Sequence, residues 1–140
     1  MERKSIMIDM DEVIVKGRFT EFVEEFLGEV DLERLNGFFR QDFIKGKEDE
    51  FKKIYAFKNL YKKNDGSFVE PLSNCIEVIK RLNKDYDIYI VTSYVWKENV
   101  IDAAHNLKYK YEYLRHFFRF LIVIILFLYQ IKISWILILE

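Results

Sequence analysis

The sequence contains few of the residues that build disulfides, tight turns and zinc sites. Its 140 residues include one cysteine, one proline, five glycines and two histidines. Because Cys75 cannot form a disulfide within the chain, we expect a reducing compartment, the cytoplasm. The histidines, His105 and His116, lie in a predicted helix, where packing or surface roles are favoured over a metal site.

The chain also lacks an excess of charge of either sign. It has 22 basic and 23 acidic residues, a net charge of -1 and a pI near 6.2. This balance gives no electrostatic reason to expect nucleic acid or a membrane surface as partner. The short apolar run at the N-terminus leads straight into acids, unlike a secretory signal peptide. The length favours one domain with its own hydrophobic core, and oligomeric state is left open.

Apolar periodicity predicts two buried strands separated by a long helical segment. The predicted strands are KSIMID and YDIYIVTS. Helices are predicted at FTEFVEEFL, DLERLNGFF, KEDEFKKIYAFKNLYKK, SNCIEVIKRLN and NVIDAAHNLKYKYEYLRHFF, the last in one or two pieces. Gly28 and Gly37 are predicted helix ends, and Ser73 a predicted N-cap. The order predicts an α/β fold with parallel strands and a helical cap inserted after the first strand.

Polar side chains follow both predicted strands. Asp9 and Asp11 come at the end of the first, and Thr92 and Ser93 at the end of the second. Ligands of open α/β sheets bind at the carboxyl ends of the strands, so we expect these four residues to lie together. In an Asp-x-Asp pair the first carboxylate can attack phosphorus, and the second can protonate the leaving alcohol and then activate water. Mg²⁺ suits two carboxylates beside a phosphate.

A plainer interpretation stays open for each of these residues. Acids at strand ends are common, so Asp11 and Glu12 are also consistent with solvated loop positions. The hydroxyls of Thr92 and Ser93 are consistent with side chains that only satisfy backbone groups. The functional interpretation gains from having both clusters at the same architectural position.

The phrases IDMDEV, GSFVEPLSNCIEVIKRLN, YIVTS and KYEYL occur in an order that resembles the haloacid dehalogenase superfamily of phosphohydrolases. The closer resemblance is to its 5'(3')-deoxyribonucleotidase-like branch, over roughly residues 4–120. It implies a three-layer Rossmann-like core with a parallel sheet and a small helical cap at about residues 18–66. It also implies Mg²⁺-dependent removal of phosphate from nucleoside monophosphates through an aspartyl-phosphate.

The resemblance also implies roles for individual residues. Asp9 would be the nucleophile and Asp11 the acid/base, with Asp9 and the Asp11 main-chain carbonyl as Mg²⁺ ligands. Thr92 and Ser93 would hold the phosphoryl group. An aromatic pocket for the base or sugar would draw on Phe38, Phe39 and Phe68. A core role is favoured for each of these three, because the chain has 13 phenylalanines.

The C-terminal tail departs from the family pattern. Residues 117–140 contain no Gly, Pro, Asn or Asp, and Glu140 is their only acid. The family places a Lys motif and an Asp-Asp pair after KYEYL, and neither motif is present: Lys132 is the only Lys left, and the tail has no Asp. We therefore divide the chain into a nucleotidase-like domain at 1–120, C-terminally incomplete, and an anomalous apolar tail at 121–140. The resemblance then implies weak Mg²⁺ binding, uncompensated phosphate charge and impaired activity.

The origin of the tail is open to more than one interpretation. Residues 120–139 have the length of a membrane span, but Gln130, Lys132 and Ser134 near the middle disfavour an anchor. The chain is also consistent with an inactive product of a damaged gene that keeps part of the fold. Our hypothesis is that a frameshift near residue 121, in the gene or its sequencing, replaced the original C-terminus.

The frameshift hypothesis makes a prediction about the coding DNA. Joining the third base of each codon to the first two of the next allows DSNNFIFISDKNIMDID from Leu121 through Leu137, with the Asp drawn from Trp135 and Ile136 forced. The missing phrase of the family has the same form: a hydrophobic strand, then Asp-Lys, then another Asp six residues past the Lys. Resequencing is expected to find codons compatible with Asp-Lys in that frame, and codons that cannot encode it would refute the hypothesis.

Overall fold

A computed structural model describes residues 3–28, 44–92, 100–121 and 125–127. The elements follow in the order β1 (Ser5–Asp9), α1 (Phe19–Leu27), α2 (Glu48–Phe57), α3 (Cys75–Asp85), β2 (Asp87–Thr92), α4 (Val100–Phe117) and β3 (Ile125–Phe127). The helix predicted at residues 31–37 lies outside the described ranges, as do Phe38, Phe39, Ser93 and the tail beyond residue 127. The α/β class predicted from the sequence is confirmed.

The strands form a three-stranded parallel sheet in the order β1-β2-β3. In register, Ile8 pairs with Ile90 and Asp9 with Val91. Parallel pairing aligns the carboxyl ends of β1 and β2 at one edge of the sheet. The predicted polar clusters after these strands are therefore neighbours.

One face of the sheet carries the main core. Ile88 and Ile90 of β2 are buried there, and Ile79 of α3 and Leu114 of α4 belong to the same hydrophobic cluster. On the face of β1 that points the other way, Met7 is 50% exposed. The described residues thus give a sheet with helices packed on one face, and the predicted third layer stays a prediction.

A second hydrophobic cluster lies between α1 and α2. Its buried members are Phe22, Val23, Ile44, Phe51 and Leu60. The rings pack closely, with centroids 5.1 Å apart for Phe22 and Phe51. This cluster is separate from the sheet core, as expected for an inserted cap, although the cap boundaries at 18 and 66 stay a prediction.

Two details of the helices differ from the sequence prediction, and a third had been left open. α2 ends at Phe57, well before the end of its charged segment, because Lys58 adopts an extended conformation. The residue before α3 is Asn74 in a left-handed conformation, so the predicted N-cap at Ser73 was wrong. α4 is one continuous helix of 18 residues, which is one of the two forms left open by the sequence.

The described helices include none with both the length and the apolar composition needed to cross a membrane. Of residues 120–139, which raised the question of an anchor, the structure describes 120, 121 and 125–127, the last three as strand β3, and the rest lie outside the described ranges.

Adjacent residues of α3 give a matched test of the core. Ile79 is 2% exposed and Val78 is 49% exposed. Ile79→Ala is expected to lower the free energy of unfolding by about 2–4 kcal/mol, because it leaves a cavity in the sheet core. Val78→Ala is expected to change it by less than about 0.5 kcal/mol. Urea unfolding of both variants checks this, and similar losses in the two would contradict the packing of α3.

Candidate active site

The turn after β1 positions Asp11 at the end of the sheet. Met10 is fully buried, and its N–H donates to the carbonyl of Val91 in β2 over 3.1 Å. The N–H of Ile14 then donates to the Met10 carbonyl over 2.9 Å, which closes a tight turn. Within this turn Glu12 has a φ of 61°, a left-handed conformation uncommon outside glycine. Asp11 therefore sits in a conformationally constrained segment.

Asp11, Thr92 and Lys110 form a hydrogen-bonded network at this edge of the sheet. The Nζ of Lys110, on α4, donates to Asp11 Oδ2 over 2.7 Å and to Thr92 Oγ1 over 2.5 Å. The Thr92 hydroxyl donates to the same Asp11 oxygen over 3.1 Å. Thr92 and Lys110 are each 1% exposed. Removing an ammonium from water costs several kcal/mol, and the hydrogen bonds of Lys110 to Asp11 and Thr92 offset part of that cost.

The second carboxylate oxygen of Asp11 binds Tyr61. The Tyr61 hydroxyl donates to Oδ1 over 2.6 Å, and Tyr61 is 3% exposed. Burial, followed by the charge of Asp11, raises the pKa of Tyr61 well above its ordinary value. The phenol therefore stays protonated and serves as a donor. Both oxygens of Asp11 thus have fixed partners.

Asp9 ends β1 beside this network. Partial burial raises the pKa of Asp9, and repulsion by Asp11 adds to the increase, against the opposing effects of Lys110 and the backbone N–H groups of Met10 and Asp11. The net shift is upward, so the ionised carboxylate is held at a cost in free energy. A nearby cation would stabilise the ionised form of Asp9. This carboxylate is also suited to attack an electrophile.

Two residues of the network have roles that the sequence pattern does not reveal. Lys110 stands in the sequence only as the first letter of KYEYL, and the phosphate charge was expected to be uncompensated. Lys110 provides a buried ammonium at the site, paired with Asp11, and the expectation about phosphate charge stays a prediction. The available signal was periodicity: Tyr113 and Leu114, three and four residues on, lie on the buried face of α4. Tyr61 had no comparable local signal.

The predicted phosphate and aromatic residues are only partly within the described structure. Ser93, Phe38 and Phe39 lie outside the described ranges. Phe68 is partly buried against the sheet core, with its ring centroid 6.0 Å from that of Tyr113. It also borders an open cleft of about 520 Å³. Its assignment to a substrate pocket stays a prediction.

The acidic residues of the site match only part of a Mg²⁺ shell. Among the described residues, no group of three or more His, Cys, Asp or Glu side chains is placed to share a metal ion. The ligands that the resemblance implies, the Asp9 carboxylate and the Asp11 main-chain carbonyl, stay a prediction, and both carboxylate oxygens of Asp11 accept hydrogen bonds. Mg²⁺ prefers six oxygens and keeps several waters, so this donor set fits a weak, largely hydrated site.

The two aspartates are expected to affect stability in opposite directions. Asp9→Asn removes a disfavoured charge, so at pH 7 it should raise the midpoint of urea unfolding. Asp11→Asn replaces one acceptor oxygen by an amide NH₂ facing a hydroxyl or the Lys110 ammonium. It should lower the free energy of unfolding by about 1–3 kcal/mol. Shifts of the same sign for both variants would contradict the network described above.

Comparison with known proteins gives a relationship but no family model match. The chain is 32% identical over 133 residues to a Staphylococcus aureus (strain Mu50) protein named "Putative 5'(3')-deoxyribonucleotidase". It is 33% identical over 128 residues to a protein of the same name from Staphylococcus epidermidis (strain RP62A). Each match covers 86% of this chain and 63% of the relative, so the chain spans under two thirds of their length. The chain is thus similar to proteins named as nucleotidases over most of its own sequence.

Proposed function

We propose that this chain is a phosphohydrolase of the haloacid dehalogenase type that acts on nucleoside monophosphates with reduced efficiency. The observation that carries the proposal is the convergence of Asp11, Thr92 and Lys110 beside Asp9, where two parallel strands end. A carboxylate pair, a hydroxyl and a buried ammonium are the groups that phosphoryl transfer through an aspartate needs. No other cluster among the described residues combines them.

Asp9 is the proposed nucleophile. Its carboxylate attacks phosphorus, the bond from phosphorus to the ester oxygen breaks, and Asp11, which enters this step protonated, gives its proton to the leaving alkoxide. A water molecule then attacks the aspartyl-phosphate while Asp11 takes its proton. The bond between phosphorus and Asp9 breaks, which releases inorganic phosphate and restores both residues.

Thr92 and Lys110 are the proposed phosphate-binding groups. The hydroxyl and ammonium now bound to Asp11 Oδ2 are good donors to phosphoryl oxygens. When a phosphate enters, its oxygens compete with Asp11 for these donors. The ammonium then offsets negative charge that grows on the transferring group, which is where electrostatic stabilisation is most effective. Ser93, next in sequence, is proposed to assist.

Mg²⁺ is the proposed cofactor, held by the Asp9 carboxylate and the Asp11 main-chain carbonyl. When bound it would neutralise charge between the phosphate and the carboxylates. With only two proposed protein ligands, the affinity should be low, and this limits the rate. The absence of the Lys and Asp-Asp motifs also indicates low activity. We therefore infer activity well below that of a relative that has both motifs.

The substrate class rests on the relatives. Proteins named as 5'(3')-deoxyribonucleotidases match 86% of the chain, and a nucleotide phosphate ester is therefore the proposed substrate. Phe68, with Phe38 and Phe39 if they approach it, is the proposed contact for base or sugar. We further propose a three-layer core at residues 1–120, to whose sheet the tail adds β3, with the cap at about 18–66, in a cytoplasmic protein.

Phosphate release from deoxynucleoside monophosphates in excess Mg²⁺ tests the proposal. A slow rate that Asp9→Asn abolishes is expected. Lys110→Met should lower kcat/KM by at least about tenfold, because phosphate loses its buried cation. Lys108→Met is the matched control, since Lys108 lies on the same helix with its side chain 68% exposed.

Each outcome of this assay has a distinct meaning. Turnover that survives Asp9→Asn would contradict the aspartyl-phosphate route. Equal effects of the two lysine variants would contradict the role of Lys110. A rate equal to that of a complete relative would contradict the inferred impairment.

A further inference from the structure

Among the described residues that bind the Asp11 carboxylate, Tyr61 is the one without a proposed phosphate-binding role. It follows α2, at the point where the chain returns from the α1–α2 cluster to the sheet core. Its hydroxyl binds Oδ1, whereas Thr92 and Lys110 both bind Oδ2. The two oxygens of one carboxylate thus have separate sets of donors.

This division matters once a phosphate enters the site. Thr92 and Lys110 are the donors that a phosphoryl group attracts, and both contact the same oxygen of Asp11. If they turn toward the phosphate, Oδ2 loses the two contacts described here. Asp11 would then be free to change its side-chain rotamer unless another contact retained it. Among the described residues, the Tyr61 hydroxyl is the contact that can do so.

We propose that Tyr61 is a positioning residue that holds Asp11 by Oδ1 while Thr92 and Lys110 bind the phosphoryl group. The retained hydrogen bond keeps Oδ2 directed at the phosphate. Oδ2 can then give a proton to the leaving alkoxide and later take one from the attacking water. This inference rests on the proposed function. It gives Tyr61, in the segment that follows α2, a role in orienting the reacting carboxylate of Asp11.

The packing around Tyr61 supports a rigid anchor. The backbone N–H of Tyr61 donates to the Asn59 side chain over 3.0 Å, and the N–H of Val69 donates to the Tyr61 carbonyl over 2.9 Å. Its ring lies 5.6 Å from the ring of Tyr113. A side chain held at its backbone and its ring loses little further entropy when its hydroxyl holds a carboxylate.

Tyr113 provides a matched control. It is fully buried in the same cluster, and its hydroxyl has no hydrogen-bond partner in the described structure. Tyr61→Phe and Tyr113→Phe each remove one buried hydroxyl and keep a packed ring. Only the first removes a contact with Asp11, so a difference between the variants isolates that hydrogen bond.

The first experiment follows the Tyr61 hydroxyl proton by NMR in the full chain. A buried phenol bonded to a carboxylate over 2.6 Å should give a slowly exchanging downfield resonance. We expect it to be lost in Tyr61→Phe, displaced in Asp11→Asn and retained in Tyr113→Phe. After addition of inorganic phosphate and Mg²⁺ it should persist while Thr92 resonances shift. Its loss on phosphate addition, or indifference to Asp11→Asn, would overturn the proposal.

The second experiment compares kinetic constants. Tyr61→Phe should lower kcat on the order of tenfold with KM changed less than about twofold, because a misdirected acid/base slows chemistry more than binding. Tyr113→Phe should leave both constants near those of the parent. Equal kcat values in the two variants would overturn the positioning role.

The proposed function can fail separately from this inference. Turnover that does not depend on Asp9, or Thr92 resonances that ignore phosphate, would count against the phosphohydrolase assignment. The contact between Tyr61 and Asp11 is tested independently by the response of the hydroxyl resonance to Asp11→Asn.

Discussion

A buried ammonium is the constraint on which the site depends. Lys110 is 1% exposed, and an unpaired charge there would cost several kcal/mol. For Lys110 to pair with Asp11 and Thr92, the turn after β1 must place Asp11 at the sheet edge. In addition, β2 must end at Thr92, and the side chain of Lys110 must point inward from α4. Parallel pairing of β1 with β2 satisfies the first two requirements at one sheet edge. The same arrangement places the Thr92 hydroxyl and the Lys110 ammonium, the proposed donors to a phosphoryl group, beside Asp9.

Helix α4 also ties the segment around α2 to the sheet core. The Asn106 side chain donates to the Tyr55 carbonyl over 3.2 Å, and the Tyr109 hydroxyl donates to the Phe57 carbonyl over 3.1 Å. These carbonyls belong to the last turn of α2, where the Tyr55 carbonyl also accepts the N–H of Lys58 over 3.2 Å. One face of α4 therefore carries Lys110 and also provides hydrogen-bond donors to the last carbonyls of α2. The segment that leads to Tyr61 begins at this end of α2, which the hydrogen bonds from α4 hold in place.

How far the sequence predicts the molecule depends on whether the determining contacts are local. β1, α1 and β2 were predicted well because apolar spacing and Gly28 are local signals. The end of α2 at Phe57 was not predicted, since contacts from α4 contribute there. Asp11 and Thr92 were found from their position after strands. The placement of Lys110 requires the packing of α4, and that of Tyr61 depends on a contact with a residue 50 positions away.

The most direct test of the central claim is a crystal structure with excess Mg²⁺ and beryllofluoride, which mimics a phosphoryl group on an aspartate. The account predicts beryllofluoride on Asp9, with Thr92 Oγ1 and Lys110 Nζ about 3 Å from its fluorines. Beryllofluoride bound elsewhere, or bound to Asp9 while Lys110 stays on Asp11, would contradict it.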